Sequence, residues 1–195
     1  MRKRAFSALM ISLSLLLSGC GERSVDTAQR LQERYSAMET VKATAQVDFT
    51  YQDQLRSYTL CCSGGEGKYE VEVLAPEHLA GIRAVFDGEK QSLVFEDLCL
   101  DAGTVSREKI SPAAVVPQLL EALGSGYIFE TCFTERNDAQ CLYAGIDTTA
   151  QTGKIVYGVW FSEETLQPLY AEVWVEDKII FAVEFTEFEF NAILQ

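Results

Sequence analysis

Cysteine and glutamate are the residues of this chain best placed to do chemistry. Cysteines stand at positions 20, 61, 62, 99, 132 and 141, with a single histidine, His78, among 195 residues. Thiols can ligate a metal, form a disulfide or be alkylated. No CxxC spacing occurs and no second histidine is present, so a zinc site is not signalled. His78 follows Pro76 and Glu77 in a loop-like stretch with no partner for a triad. Gly64-Gly65-Glu66-Gly67 is glycine-rich but lacks the lysine and following helix of a phosphate loop. Glu70, Glu72, Glu172, Glu184, Glu187 and Glu189 could be read as paired catalytic carboxylates. Their alternation with apolar residues fits solvated strand faces better. The expectation is a protein with no catalytic set, no metal and no cofactor.

Cys20 is different, because its setting is specific. Arg2, Lys3 and Arg4 precede an apolar run from Ala5 to Leu17. That run is too short for a hydrocarbon core needing about 20 residues. A basic head, a short apolar body and a small-residue exit read as a secretory signal peptide. Leu17-Ser18-Gly19-Cys20 resembles the bacterial lipobox, whose cysteine takes a diacylglyceryl group before cleavage. The resemblance implies a signal peptide over 1–19, a lipidated tether over 20–25 and one domain over 26–195. It places the mature protein outside the cytoplasm, attached to the cell membrane through diacylglyceryl-Cys20. Two acyl chains suffice for stable attachment at about 0.8 kcal/mol per buried methylene.

Without the three basic residues of the signal, 13 Lys and Arg face 29 Asp and Glu, for a net charge of 13 − 29 = −16. Such a surface repels nucleic acid and anionic lipid. Five cysteines then remain, an odd number that suggests disulfides plus a leftover thiol in an exported protein. Cys132 and Cys141 flank Glu135-Arg136-Asn137-Asp138. Were that a four-residue loop, the two would face each other across a hairpin, marginally within reach of a bridge. An anaerobic source would leave all of them reduced.

The elements follow from periodicity. Asp26 and Gln29 suggest a helix cap, and Ala28, Leu31, Tyr35 and Met38 recur at helical spacing over roughly 26–38. From Val41 to Tyr51 apolar residues alternate with polar ones, the pattern of a strand buried on one face. Further strands are expected near 55–62, 68–74, 82–87, 91–96, 127–134, 140–147, 154–161, 169–176 and 179–190, with a short one at Leu98–Leu100. Asp87-Gly88 is a strong hairpin signal. Phe185 and Phe188 have opposite parity, so a bulge between them would bring both inward. Ser111-Pro112 opens an apolar segment containing Val115, Val116, Leu119, Leu120 and Leu123. Pro117 predicts a broken helix there, or two short ones. About ten antiparallel strands with two helical segments make an α+β, mostly β fold, whose long strands must close or curl.

This order resembles the LolA/LolB family of lipoprotein-localisation factors over residues 26–190. The helix with Leu31 and Tyr35 leads into the alternating strand. Asp87-Gly88-Glu89-Lys90 before Leu93-Val94-Phe95, Leu166-Gln167-Pro168-Leu169, and Phe185-Thr186-Glu187-Phe188 fit the later strands. The resemblance implies a curved antiparallel sheet, an incomplete barrel covered by an N-terminal helix and a mid-chain helical lid. It also implies a cavity for the acyl chains of a client lipoprotein. An own lipid anchor is the LolB arrangement, and the family's cavity arginine has no counterpart that can be placed here. Anchored relatives in spore formers include a germination factor that binds a cell-wall amidase. A tethered module that positions or activates such an envelope enzyme is therefore the alternative expectation. On the residues themselves, Val47, Phe49, Val71, Phe86, Phe95, Tyr157 and Phe181 are the expected lining of an acyl-binding concavity. The five apolar residues of 115–123 are its expected lid, unless the two sets pack together as a dry core.

Overall fold

The computed structural model describes residues 22–52, 54–104, 110–148 and 155–192. The lipobox and Cys20 lie outside them. Helix α1 spans Glu22–Ser36 and α2 spans Val115–Ser125. The strands are β1 Met38–Tyr51, β2 Gln54–Gly65, β3 Lys68–Ala75, β4 Arg83–Asp87, β5 Lys90–Phe95 and β6 Leu98–Thr104. After α2 come β7 Tyr127–Arg136, β8 Ala139–Asp147, β9 Ile155–Ser162, β10 Pro168–Val175 and β11 Lys178–Ala192.

All eleven strands form one antiparallel sheet in the order β6-β5-β4-β3-β2-β1-β11-β10-β9-β8-β7. The first and last strands meet at its centre. Consecutive strands β6 and β7 are its two opposite edges, so the sheet curls without closing. The chain must therefore cross the open side between β6 and β7. Helix α2 lies on that crossing, which is why the more apolar of the two described helices covers the concave face.

Two-residue turns set the register. Asn137-Asp138 and Glu176-Asp177 have φ of 51°, 61°, 50° and 62°, the paired left-handed conformation that matches strand twist. Glu66-Gly67 makes the same turn between β2 and β3, so the glycine-rich stretch is a hairpin corner. The expected bulge is present. Thr44 pairs with Glu187 and Ala45 with Phe185, leaving Thr186 as the extra residue. Its hydroxyl donates to the Thr44 carbonyl at 3.1 Å. Phe185 and Phe188 are both buried, with ring centroids 5.6 Å apart.

Four expectations are corrected. Helix α1 begins at Glu22, so residues 22–25 of the expected tether are helical and Asp26 lies inside the helix rather than capping it. The short strand at Leu98 runs on to Thr104 and makes the eleventh of the sheet. Pro117 does not break α2. It occupies the first turn, where its missing N–H has no intrahelical partner to lose. The cysteine hairpin turns on two residues rather than four, so Cys132 faces Tyr143 and Thr134 faces Cys141. That diagonal offset separates the two cysteines, and both thiols are free.

Candidate ligand-binding face

Alternation along β1 places Val41, Ala43, Ala45 and Val47 on the concave face, buried. Cross-strand pairing carries this parity outward through Leu60, Cys62, Val71, Ala84 and Phe86 on one side. On the other it runs through Val183, Ala171, Val159 and Ala144. Of the expected lining residues, Val47, Val71, Phe86, Tyr157 and Phe181 share one continuous buried cluster. Phe49 sits at its rim, with ring centroids 5.7 Å from Tyr58 and 5.5 Å from Phe181. Phe95 lies apart, at the far end of β5 and 45% exposed.

Val115, Val116, Leu119, Leu120 and Leu123 of α2 are all buried in the same cluster. They fill the concavity beneath the helix, which is a packed core in this closed arrangement. Helix α1 backs α2. The Gln32 amide donates to the Gly126 carbonyl at 3.0 Å, and a Cβ on Gly124 would lie 3.2 Å from the Tyr35 carbonyl oxygen. Lifting α2 would return five apolar side chains to water at about 1.5–3 kcal/mol each, roughly 10 kcal/mol together. A single alkyl chain of about a dozen methylenes would only break even against that cost. Ligand access without lid displacement therefore favours uncovered parts of the face.

One such part exists. Phe86 pairs with Gln91, and Ala84 with Leu93, so β5 turns Gln91, Leu93 and Phe95 to the concave side. Leu100 pairs with Leu93 and Leu98 with Phe95. These four residues are 38% (Leu93), 45% (Phe95), 67% (Leu98) and 65% (Leu100) exposed. They form an apolar strip that nothing among the described residues covers. The strip is legible in the sequence as the alternation Leu93-Phe95 and Leu98-Leu100. Its exposure is not, because local pattern cannot show that β6 is an edge.

Where the β2–β3 and β4–β5 corners meet the lid lies a cleft of about 200 Å³, lined by Tyr69, Phe86, Glu89, Pro117, Gln118 and Glu121 together with Gly67, Gly88 and Ala114. Sequence reading did not single out its polar members. The Gln118 side-chain oxygen is buried without a hydrogen-bond partner. Burial, and then the charge of Glu121, push the Tyr69 hydroxyl up to about 12. Tyr157 is likewise raised, by burial first and Glu121 second. Both phenols stay neutral donors.

The convex face carries acidic residues and an aromatic group of Tyr143, Trp160 and Tyr170. Glu70 accepts from Arg83 at 3.2 Å, and Lys68 pairs with Asp87 at 3.5 Å. Glu172, Glu184, Glu187 and Glu189 spread along β10 and β11 rather than converging. His78 is exposed, in a short 3-10 turn at Glu77–Leu79. No group of three metal-ligating side chains occurs among the described residues. No helix among them is long and apolar enough to cross a membrane. What this arrangement can do is hold apolar matter beside a small acidic cleft.

Among solved structures, the chain is similar to a DUF1329 family protein from Desulfovibrio piger. The TM-score is 0.52 at 9% identity, covering 87% of this chain and 92% of that one. The two share a fold. Weaker likenesses are to an outer membrane lipoprotein-sorting protein domain from Vibrio parahaemolyticus and to a LolA superfamily protein from Nitrosomonas europaea. The first has a TM-score of 0.47 at 11% identity over 89% of this chain and 94% of that one. The second has 0.49 at 7% over 86% and 94%. No family model matches the sequence, and no curated protein does. The open, helix-lidded antiparallel sheet implied by the sequence resemblance is the architecture observed.

Proposed function

We propose that this protein is a non-catalytic, extracytoplasmic lipoprotein, anchored to the cell membrane through diacylglyceryl-Cys20, that binds a hydrophobic ligand on the concave face of its sheet. The ligand is an acyl chain or an acylated client. The carrying observation is the uncovered strip Leu93, Phe95, Leu98 and Leu100, which continues the core face beyond the edge of the lid. Each methylene laid on it contributes part of the 0.8 kcal/mol or so of a fully buried one, without moving α2. The buried residues of the expected lining and the five of α2 become available to longer or paired chains that displace the lid.

The test uses residues 21–195 and a neutral fluorescent probe, N-phenyl-1-naphthylamine. Binding is expected to give a saturable rise in fluorescence, and L98D with L100D to weaken it by about tenfold. A flat titration, or one the double variant leaves unchanged, overturns the reading. Anchoring is tested in the producing cell. Cys20→Ala should release the protein from the membrane fraction.

A second reading has its own support. Strand β6 is an edge whose seven residues are all exposed. An extended segment of an envelope protein could add to it as a further strand. A stoichiometric partner crosslinked to position 100, and retained when Val47→Trp fills the face, would favour this reading.

A further inference from the structure

Both tryptophans of this chain, Trp160 and Trp174, stand on the convex side, the face of an antiparallel sheet that usually meets water. Pairing from β7 to β10 sets Tyr127, Asp147, Val156 and Trp174 in one row across that side. In the row after next, Tyr143, Trp160 and Tyr170 stand side by side, with ring centroids 4.9 and 5.4 Å apart. Between these rows Gly145 and Gly158 carry no side chain, and the Phe129 ring occupies the space over Gly145. Tyr127 is 72% and Phe129 48% exposed, on a strand that is an edge of the sheet. Arg136 lies over the second row, its guanidinium carbon 5.1 Å from the Trp160 ring centre and 3.4 Å from that of Tyr170. No described carboxylate forms an ion pair with it. Tryptophan, tyrosine and arginine all suit the headgroup layer of a bilayer. Their apolar bodies sit at the acyl boundary while N–H, hydroxyl and guanidinium meet carbonyl and phosphate.

The anchor brings this face within reach of lipid. Helix α1 packs against β7, and the Gln32 amide donates to the Gly126 carbonyl, one residue before Tyr127. From Gln32 back to Glu22 are ten residues of helix, about 15 Å. Cys20 lies two residues further, at most about 7 Å. An acyl chain on Cys20 therefore enters the bilayer within roughly 25 Å of the head of β7.

We infer that the convex face of β7 to β10 is a membrane seat. Its aromatic rows rest in the headgroup layer of the bilayer that holds Cys20, with the Arg136 guanidinium at a lipid phosphate. Glu130, Asp147 and Glu172 share this face, so the lipid that fits it is zwitterionic, and anionic lipid gains nothing there. A protein seated on its convex side keeps the concave side, and the Leu93–Leu100 strip with it, clear of that bilayer. This inference rests on the anchoring reading and adds an orientation to it.

The test takes the acylated protein from membranes of the producing cell and reconstitutes it into phosphatidylcholine vesicles, plain or brominated on one acyl chain. Bromine quenches tryptophan only at close range, and both tryptophans belong to the seat. Emission is expected to fall about twofold in the brominated vesicles. Y127S with F129S should remove most of that loss, and L98D with L100D, at the opposite edge, should leave it intact. Thermal melts check that the variants are folded. Should Y127S with F129S prove unfolded, Y127S alone, at the more exposed edge position, takes its place. Equal emission from the two kinds of vesicle overturns the seat while leaving the anchor intact. So does a loss that follows L98D with L100D rather than Y127S with F129S, which would put the other edge on the lipid. Sedimentation of residues 21–195 as a dimer that Y127S with F129S abolishes would also overturn it, because a second copy then covers the face. Protein that carries no acyl group by mass spectrometry and does not float with the vesicles overturns the anchoring reading itself, and the seat with it.

Discussion

The Tyr35 hydroxyl donates to the Leu166 carbonyl at 2.7 Å, tying the end of α1 to the corner between β9 and β10. Leu166 has a left-handed backbone, φ 53°, in that corner. The Tyr35 ring stacks on Phe190 at 5.7 Å and tilts against Phe161 at 5.9 Å. One residue thus joins the first helix to β9, to the β9–β10 corner and to β11. Y35F should cost about 1 kcal/mol, the net value of one hydrogen bond, and Y35A about 3–5 kcal/mol through the cavity left behind. Chemical denaturation of the two variants decides this. Equal losses would mean the hydroxyl contributes nothing separable from the ring.

Alkali should unfold the protein through its buried phenols. Burial raises Tyr35, Tyr69 and Tyr157 above the 10.0 of an unfolded tyrosine, Tyr69 to about 12. A raised folded pKa means the folded state holds the proton more tightly. The stability it gives is complete below pH of about 10 and drains away as pH climbs toward the folded values. Cys62, raised from 9.0 to about 12 chiefly by burial, starts the decline about one pH unit earlier. Tm measured from pH 8 to 11 should be level at first and then fall. Tyrosinate absorbance completing near pH 10 in the folded protein would contradict it.

Thiol reactivity should sort by exposure. Cys99 and Cys132 are exposed, Cys61 is partly covered, and Cys62 and Cys141 are buried. Treating native residues 21–195 with a chromogenic disulfide should modify Cys99 and Cys132 first and Cys61 more slowly. Cys62 and Cys141 should react only on unfolding. Peptide mapping would show a different order if either hairpin cysteine were engaged in a bridge.

The Thr186 bulge makes deletion there less harmful than deletion of its neighbour Glu184. Removing Thr186 leaves Phe185 and Phe188 on the concave face, because the strand then alternates without interruption. The expected cost is about 1 kcal/mol for the lost bond to the Thr44 carbonyl, plus some local twist. Removing Glu184 instead sets Phe185 at the wrong parity and should abolish cooperative unfolding. Near-ultraviolet circular dichroism and thermal melts compare the two.

Gly145 and Gly158 pair across β8 and β9, and aromatic rings occupy the space their side chains would fill. A Cβ at 145 would lie 2.6 Å from the Phe129 ring, and one at 158 would lie 3.1 Å from Tyr143. G145V should therefore destabilise by about 1–3 kcal/mol, and G158A by less, as read by urea titration. A neutral G145V would show that Phe129, half-exposed on an edge strand, simply swings aside.

Much of the candidate site was legible one element at a time. Val47, Val71, Tyr157 and Phe181 declare an inward face by alternation, and the parity clash at Phe185 and Phe188 declares a bulge. Alternation is local, set by backbone geometry within a few residues, so the sequence by itself determined the strands, their buried faces and the apolar character of α2. It could not show that β6 and β7 are opposite edges, that α2 fills the concavity it crosses, or that Phe95 stands in the open beside Leu98. Nor could it bring Glu89 and Glu121 to one cleft, or offset Cys132 from Cys141. Those depend on which strands meet across long separations and on turns whose length shifts every later pair. Only the tertiary structure decides them, because pairing and curvature are properties of the whole sheet.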